Sequence, residues 1–178
     1  MEIDKGVATL IAALLAAVLS GLTLLQKKSI ELREANRKYL ETFIEELSDS
    51  IHQLMAIATI MLKNKTKESL NNSKSKAEEP KEKLKRLRTK IRYPLWGIDD
   101  AIQKLTRVTD FTLYTLNEPA VAEDNVKKAK SFAYSIDKCI RNCYLHGRSP
   151  SFLEIHIIKF KAWRFTSVRE GFKEKRNT

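Results

Sequence analysis

The stretch Cys139-Ile140-Arg141-Asn142-Cys143-Tyr144-Leu145-His146-Gly147 concentrates the side chains best suited to chemistry. An imidazole titrates near neutral pH and a guanidinium forks onto phosphate oxygens, so His146 and Arg141 suit acid–base work on a phosphodiester. The two stand five positions apart, about 140° around an ideal helix. They converge on one phosphate only if the helix unwinds or a partner subunit completes the site. A plainer role competes: cations in a last helical turn favour its C-terminus, and Gly147 is a common terminator there. Cys139, Cys143 and His146 also fall at i, i+4 and i+7, one face of a helix, where zinc would need one more ligand such as His156. The paired Cys clusters of structural zinc sites are missing, and small buried thiols are common in helical cores. No metal and no cofactor is expected.

Arg141 followed by Asn142, with His146 after four intervening residues, resembles the signature of HEPN domains. These are small helical bundles that include many ribonucleases of bacterial toxin and defence systems. Ile140 before the motif and Gly147 after it also look like common members of that family. The resemblance implies that His146 acts as general acid or base at the RNA 2′-hydroxyl, Arg141 holds the scissile phosphate and Asn142 orients the pair. It further implies a metal-independent endoribonuclease whose site is shared between two protomers. Helical pattern extends the resemblance over residues 81 to 170, but the motif itself covers about eight.

Positive charge is the second signal. Lys and Arg total 33 against 22 Asp and Glu, a net charge of +11, which suits an anionic partner: RNA, a nucleotide second messenger or anionic lipid. Residues 81 to 92 hold seven cations against Glu82 alone. Leu84, Leu87 and Ile91 form one stripe in that run, which predicts an amphipathic helix presenting Lys83, Lys85, Arg86, Arg88, Lys90 and Arg92. A second basic stretch interleaves Lys159, Lys161 and Arg164 with Trp163, a pattern that suits stacked bases beside cations. In both stretches the plainer reading is a solvated charged face over a core stripe, with Trp163 and Phe165 in the core. No Ser-His-Asp order, catalytic carboxylate pair or Walker-type loop is present, and 5 Gly with 4 Pro leave little material for glycine-rich phosphate loops.

The elements that must carry these residues begin at the membrane. Val7 to Leu25 is an uncharged run of nineteen residues; at about 1.5 Å per residue it reaches roughly 28 Å, close to the ~30 Å hydrocarbon core. Its acidic leading residues and its length fit a cleaved signal peptide poorly. Lys27, Lys28, Arg33, Arg37 and Lys38 follow the span while only Lys5 precedes it, so positive-inside places the C-terminal part in the cytoplasm of a cell carrying the protein in its inner (cell) membrane. Ala8, Ala12, Ala16 and Ser20, with Ala13, Ala17 and Gly21 beside them, make two small-residue ridges that suit a homo-oligomer.

Beyond the anchor at residues 1–25, Leu40, Ile44, Leu47, Ile51, Leu54, Ala58 and Met61 alternate four-three-four-three. Residues 26–63 thus read as a stalk continuing the membrane helix, either a coiled coil between copies or one helix of a bundle. Residues 64–80 are Ser, Asn, Lys and Glu with almost nothing apolar, predicting a flexible linker. Residues 81–170 read as a basic helical domain and 171–178 as a tail. Within that domain Pro94 is expected to stop the first helix, Leu95 to Leu116 to form the next, and a third to end near His146. Ser151 and Glu154 are spaced as a capping box, with a strand alternative for 152–165. The expected fold is all-α: a single-pass transmembrane helix, a stalk and a cytoplasmic helical bundle.

Two functions from different classes follow. One is a membrane-tethered, HEPN-like protein of bacterial defence or toxin type acting on RNA. The other is a non-enzymatic membrane effector whose basic domain binds a cyclic oligonucleotide or other anionic ligand and rearranges oligomeric membrane helices. That layout is similar to effectors switched by cyclic oligonucleotides in bacterial antiviral systems. A third is a tethered scaffold.

Overall fold

The computed structural model describes residues 5–92 and 95–174, with side chains described from Gly6 to Thr166. Among the described residues the chain is helical without strands, in seven segments. They are α1 (Lys5–Glu41), α2 (Ile44–Lys63), α3 (Lys67–Ile91), α4 (Asp99–Leu105), α5 (Val108–Thr115), α6 (Pro119–His146) and α7 (Phe152–Glu174). Residues 152–165 are therefore helix, and the strand alternative falls. Pro94, expected to stop α3, lies outside the described residues.

The apolar part of α1 is long and apolar enough to cross a membrane and is covered by none of the other described residues. α1 does not run on through the stalk, as the unbroken sequence suggested. It stops at Glu41, where the Phe43 N–H donates to the Leu40 carbonyl in a tight i+3 turn. Phe43 is itself buried, edge-on to Tyr39, so the aromatic anchor bends the chain at a point without Gly or Pro. After the bend, all seven four-three positions from Leu40 to Met61 are buried. Their partners are α3, α5 and α6, so α2 is a bundle helix rather than a strand of an intermolecular coiled coil.

The largest departure is the expected linker at 64–80. Its first three residues make a turn, Thr66 caps the next helix through the Ser69 N–H, and α3 then runs unbroken. Ser73, Ala77 and Pro80 are buried, followed by Leu84, Leu87 and Ile91. That is the same four-three stripe as in α2, written in small residues. Small side chains let two helices approach closely, and a hydrophobicity count does not register them as a core face. Pro80 sits inside α3, so composition alone would break the helix there.

The expected single helix from Leu95 to Leu116 is two. Apolar positions at 102, 105, 108 and 111 recur every third residue, tighter than the α period. The chain answers with an i+3 hydrogen bond from the Arg107 N–H to the Lys104 carbonyl, which divides α4 from α5. Phe111, Phe132 and Phe165 then stack across α5, α6 and α7, with centroids 5.2 and 6.0 Å apart.

The order is up-and-down. α2 runs away from α1, α3 returns, α4 and α5 run out again, α6 returns and α7 runs out. One end of the bundle therefore gathers the last turns of α1, the C-terminal ends of α3 and α6, and the start of α7. There α6 grips α1. Arg37 donates to the Leu145 carbonyl at 2.6 Å and Asn36 to the Gly147 carbonyl at 3.5 Å. Gly147, at φ +58°, lies so close that a Cβ would sit 2.2 Å from the Arg33 carbonyl oxygen. Only glycine fits there, for the left-handed turn and for the contact together.

Candidate anion-binding cleft and the end of α6

Arg141, Asn142 and His146 lie on one helix and point to three different places. Asp137, buried on α6, accepts from Ser48 Oγ at 2.6 Å and from Arg141 Nε at 2.9 Å, while an Arg141 guanidinium nitrogen also donates to Ser48 Oγ at 2.8 Å. Arg141 is thus oriented toward α2, with half its side chain still exposed. Asn142 turns to the opposite flank and donates to Glu154 Oε1 at 3.3 Å. His146 is exposed at the last turn. Within one chain the three do not meet, as the five-residue offset requires.

Asn142 belongs instead to a network around Glu154. Arg148 makes a two-pronged pair with that carboxylate at 2.8 and 2.9 Å, and Ser151 donates to it from both its N–H and its hydroxyl. The Glu154 N–H returns a bond to Ser151 Oγ, completing the capping box anticipated from spacing. Arg148, then burial working against it, then Ser151 and Asn142 leave the Glu154 carboxyl lowered to about 2. The network closes the turn between α6 and α7.

Cys139 and Cys143 are buried free thiols beside Glu154, with ligand atoms of all three within 4.8 Å of one another. His146 and His156, the imidazoles considered as zinc ligands, are both exposed, and His156 Nδ1 lies 2.9 Å from the Phe152 carbonyl. Glu154 is already held by Arg148. Contact between the two thiols pushes Cys139 up and Cys143 down. The cluster reads as core.

The basic residues expected to bind anions separate into several groups. Lys83 pairs with Glu79 at 2.7 Å and Arg86 with Glu46 across to α2. Lys90 and Arg92 are exposed at the α1 end of the bundle. Lys161 reaches back to Ser135 Oγ at 2.6 Å, tying α7 to α6. Trp163 is exposed, against the core role weighed for it, beside Phe160 on the outer face of α7, while Phe165 is core. Lys159 and Arg164 also lie on exposed parts of α7.

Lys85, paired with Glu82 at 2.5 Å, and Arg88 line a cleft of about 620 Å³ between α3 and the α4–α5 pair. Lys81 and Arg107 join them there, so four cations face two carboxylates, Glu78 and Asp110. Lys81 is the unusual member. Its side chain is only 8% exposed, yet its ammonium lies 2.9 Å from Asp110 and 3.1 Å from Glu78. Burial works against the charged form, but the hydrogen bonds it donates to Asp110 and Glu78 outweigh it and its pKa is raised. Arg88 is tethered to Asp100 at 3.1 Å, and Arg107 is exposed at the α4–α5 turn. Lys81 was legible as part of the basic run. Arg107 was not, because it stands apart from the basic runs and only the i+3 turn between α4 and α5 brings it to the cleft mouth.

The cleft's volume falls in the range of small-ligand sites, and carboxylates on both walls, Glu78 on α3 with Asp100 and Asp110 on α4 and α5, hold Lys81 and Arg88 in place. No family model, no curated protein and no solved structure matches the chain.

Proposed function

We propose that this is a membrane-anchored, non-catalytic effector. Its bundle binds a phosphate-bearing nucleotide or short cyclic oligonucleotide in the α3–α5 cleft, and the binding changes how the bundle holds the membrane helix. The observation that carries this reading is convergence: Lys81, Lys85, Arg88 and Arg107 face one cavity, whereas Arg141, Asn142 and His146 diverge. Transmission is supported by α1 itself, which runs from its apolar segment to the α6 contacts at Arg33, Asn36 and Arg37 without a break. On this reading α1 crosses the cell membrane once, with the bundle in the cytoplasm, and copies associate through the ridges at Ala8, Ala12, Ala16 and Ser20. A ligand shifts such an assembly only by its differential affinity for two arrangements of the bundle.

The test is calorimetry on the full chain in lipid nanodiscs against linear and cyclic mono-, di- and trinucleotides. Binding that weakens tenfold or more in Arg88→Gln/Arg107→Gln, and is unchanged in His146→Ala, is the expected result. One charge-assisted contact is worth about 1.5–3 kcal/mol, so two losses are readily seen. Absence of binding across the panel overturns the proposal.

A second reading keeps the HEPN resemblance: an RNA-acting protein of defence or toxin type whose site forms between two copies. It is supported by the exposure of both Arg141 and His146, with the guanidinium already oriented by Asp137 and Ser48. Metal-independent cleavage of labelled RNA, lost in Arg141→Ala and in His146→Ala alike, would establish it in place of the first.

A further inference from the structure

The end of the bundle that receives α1 carries an unusual concentration of uncovered apolar surface. Trp96, Leu145, Phe152 and Leu153 are all at least 59% exposed. They come from three separate places in the chain that the fold brings to the same end. Gly97, at φ +87°, tucks against Ile155 on α7, where an added Cβ would lie 3.0 Å from its Cδ1. That contact sets the Trp96 turn beside the first residues of α7. Leu145 is fixed through its carbonyl by Arg37 on α1. The same end carries exposed cations: Arg33 and Arg37 on α1, Lys90 and Arg92 at the finish of α3. The Tyr39 hydroxyl, donating to the Lys90 carbonyl at 2.8 Å, fixes the α3 end against α1.

We propose that this end of the bundle docks on the anionic bilayer surface through which its own α1 passes, with Trp96, Phe152 and Leu153 entering the headgroup layer and the four cations drawn by its negative surface potential. This rests on the reading of α1 as a membrane span. The occupant follows from continuity and from charge. Arg33 stands eight residues past Leu25, about 12 Å along the helix axis, and the headgroup layer occupies roughly 5–7 Å of that. The remaining gap is within the reach of an aromatic side chain, and a tilt of about 20° closes it on one side. Tryptophan with nearby Lys and Arg is the composition that settles at a membrane–water boundary. A nucleotide in the α3–α5 cleft and a bilayer under this end act on different surfaces, so docking gives the bundle two arrangements, seated and lifted, between which a ligand can choose.

The chain contains two tryptophans, and they are well placed for the test. Trp163 lies eleven residues along α7 from Phe152, about 16 Å farther from the span. Single-tryptophan forms, Trp163→Phe and Trp96→Phe, are reconstituted in phosphatidylcholine/phosphatidylglycerol vesicles with brominated acyl chains, and in brominated phosphatidylcholine alone. Flotation of the full chain with vesicles after alkaline wash reports the span separately. The expected result is strong quenching and a blue shift of Trp96 in the anionic vesicles, little quenching of Trp163, and weaker Trp96 quenching without phosphatidylglycerol. Lys90→Gln/Arg92→Gln should lower the seated-to-lifted ratio roughly 25-fold, at about fivefold per cation near an anionic surface. Protein that floats after the wash while Trp96 stays unquenched overturns the docking and leaves the span intact. Trp96 and Trp163 quenched alike also overturns it. Protein that does not float overturns the span, and the docking with it.

Discussion

The α3–α5 cleft and the end of α6 are both cationic, both partly neutralised by carboxylates, and opposite in what their geometry does with the charge. In the cleft, cations come from two elements and line one cavity although they too have partners, Lys81 buried between Glu78 and Asp110, Lys85 beside Glu82 and Arg88 beside Asp100. At the end of α6, cations come from one helix and its following turn, and each is drawn to its own partner: Arg141 to Asp137 and Ser48, Arg148 to Glu154. A helix spreads neighbouring residues around its axis, so a cluster in sequence becomes a dispersal in space unless a second element gathers it. The end of α6 gathers the fold; the cleft leaves its cations around an open cavity.

That contrast is broken most easily at Gly147. Gly147→Ala places a Cβ against the Arg33 backbone in a left-handed turn, and should cost on the order of 3–4 kcal/mol, lowering Tm by about 10 °C. Thermal unfolding of the detergent-solubilised chain reads it. Nucleotide affinity at the cleft should survive below the new Tm. A change in affinity larger than in stability would mean the two regions are one site.

Acid comes next. The Glu154 carboxyl titrates at about 2 in the fold, below its ordinary value, so its contribution is complete above the unfolded pKa and disappears as pH falls from about 5 to about 2. Glu154→Gln should flatten that part of the stability–pH curve and cost about 1–3 kcal/mol at neutral pH, since Arg148 loses its charged partner. A curve that keeps its slope in the variant would place the acid sensitivity elsewhere.

Lys81→Met probes the cleft from its buried side. Glu78 and Asp110 are roughly half exposed and rehydrate when the ammonium goes, so the stability cost should be about 1 kcal/mol rather than the larger penalty of a stranded buried charge. Ligand affinity should fall tenfold or more, because the opening loses one of four cations and the two carboxylates are freed to repel phosphate. The smallest effect is expected for His146→Ala: within about 0.5 kcal/mol in stability and none on cleft binding. RNA cleavage that depended on His146 would reverse the contrast altogether.

Much of this architecture could be read from residue spacing. The stripe from Leu40 to Met61, the Ser151–Glu154 cap and the Gly147 terminus all act as their periods and types imply. What escaped reading had more than one cause. Ser73, Ala77 and Pro80 make a core face that composition classes as linker. Phe43 ends a helix without a breaker, and the Arg107 turn depends on a three-residue apolar rhythm that a helical count absorbs. The candidate site was half legible. Lys85 and Arg88 stand in an evident basic run, but which faces of that run meet a cavity depends on where α4 and α5 fold back, and no local signal carries that.

The contacts between Arg37 and Leu145 and between Asn36 and Gly147 span 108 and 111 positions. Synthesis proceeds from the N-terminus at roughly 5–20 residues per second, so α1 is complete several seconds or more before its partner on α6 exists. The apolar helix is therefore made as an independent element, and α6 closes on it afterwards. A nascent chain halted before Leu145 would carry the apolar helix and every residue that lines the cleft, tied through Tyr39 and Lys90 but still without the α6 grip, so order of manufacture alone sets the last contact to form.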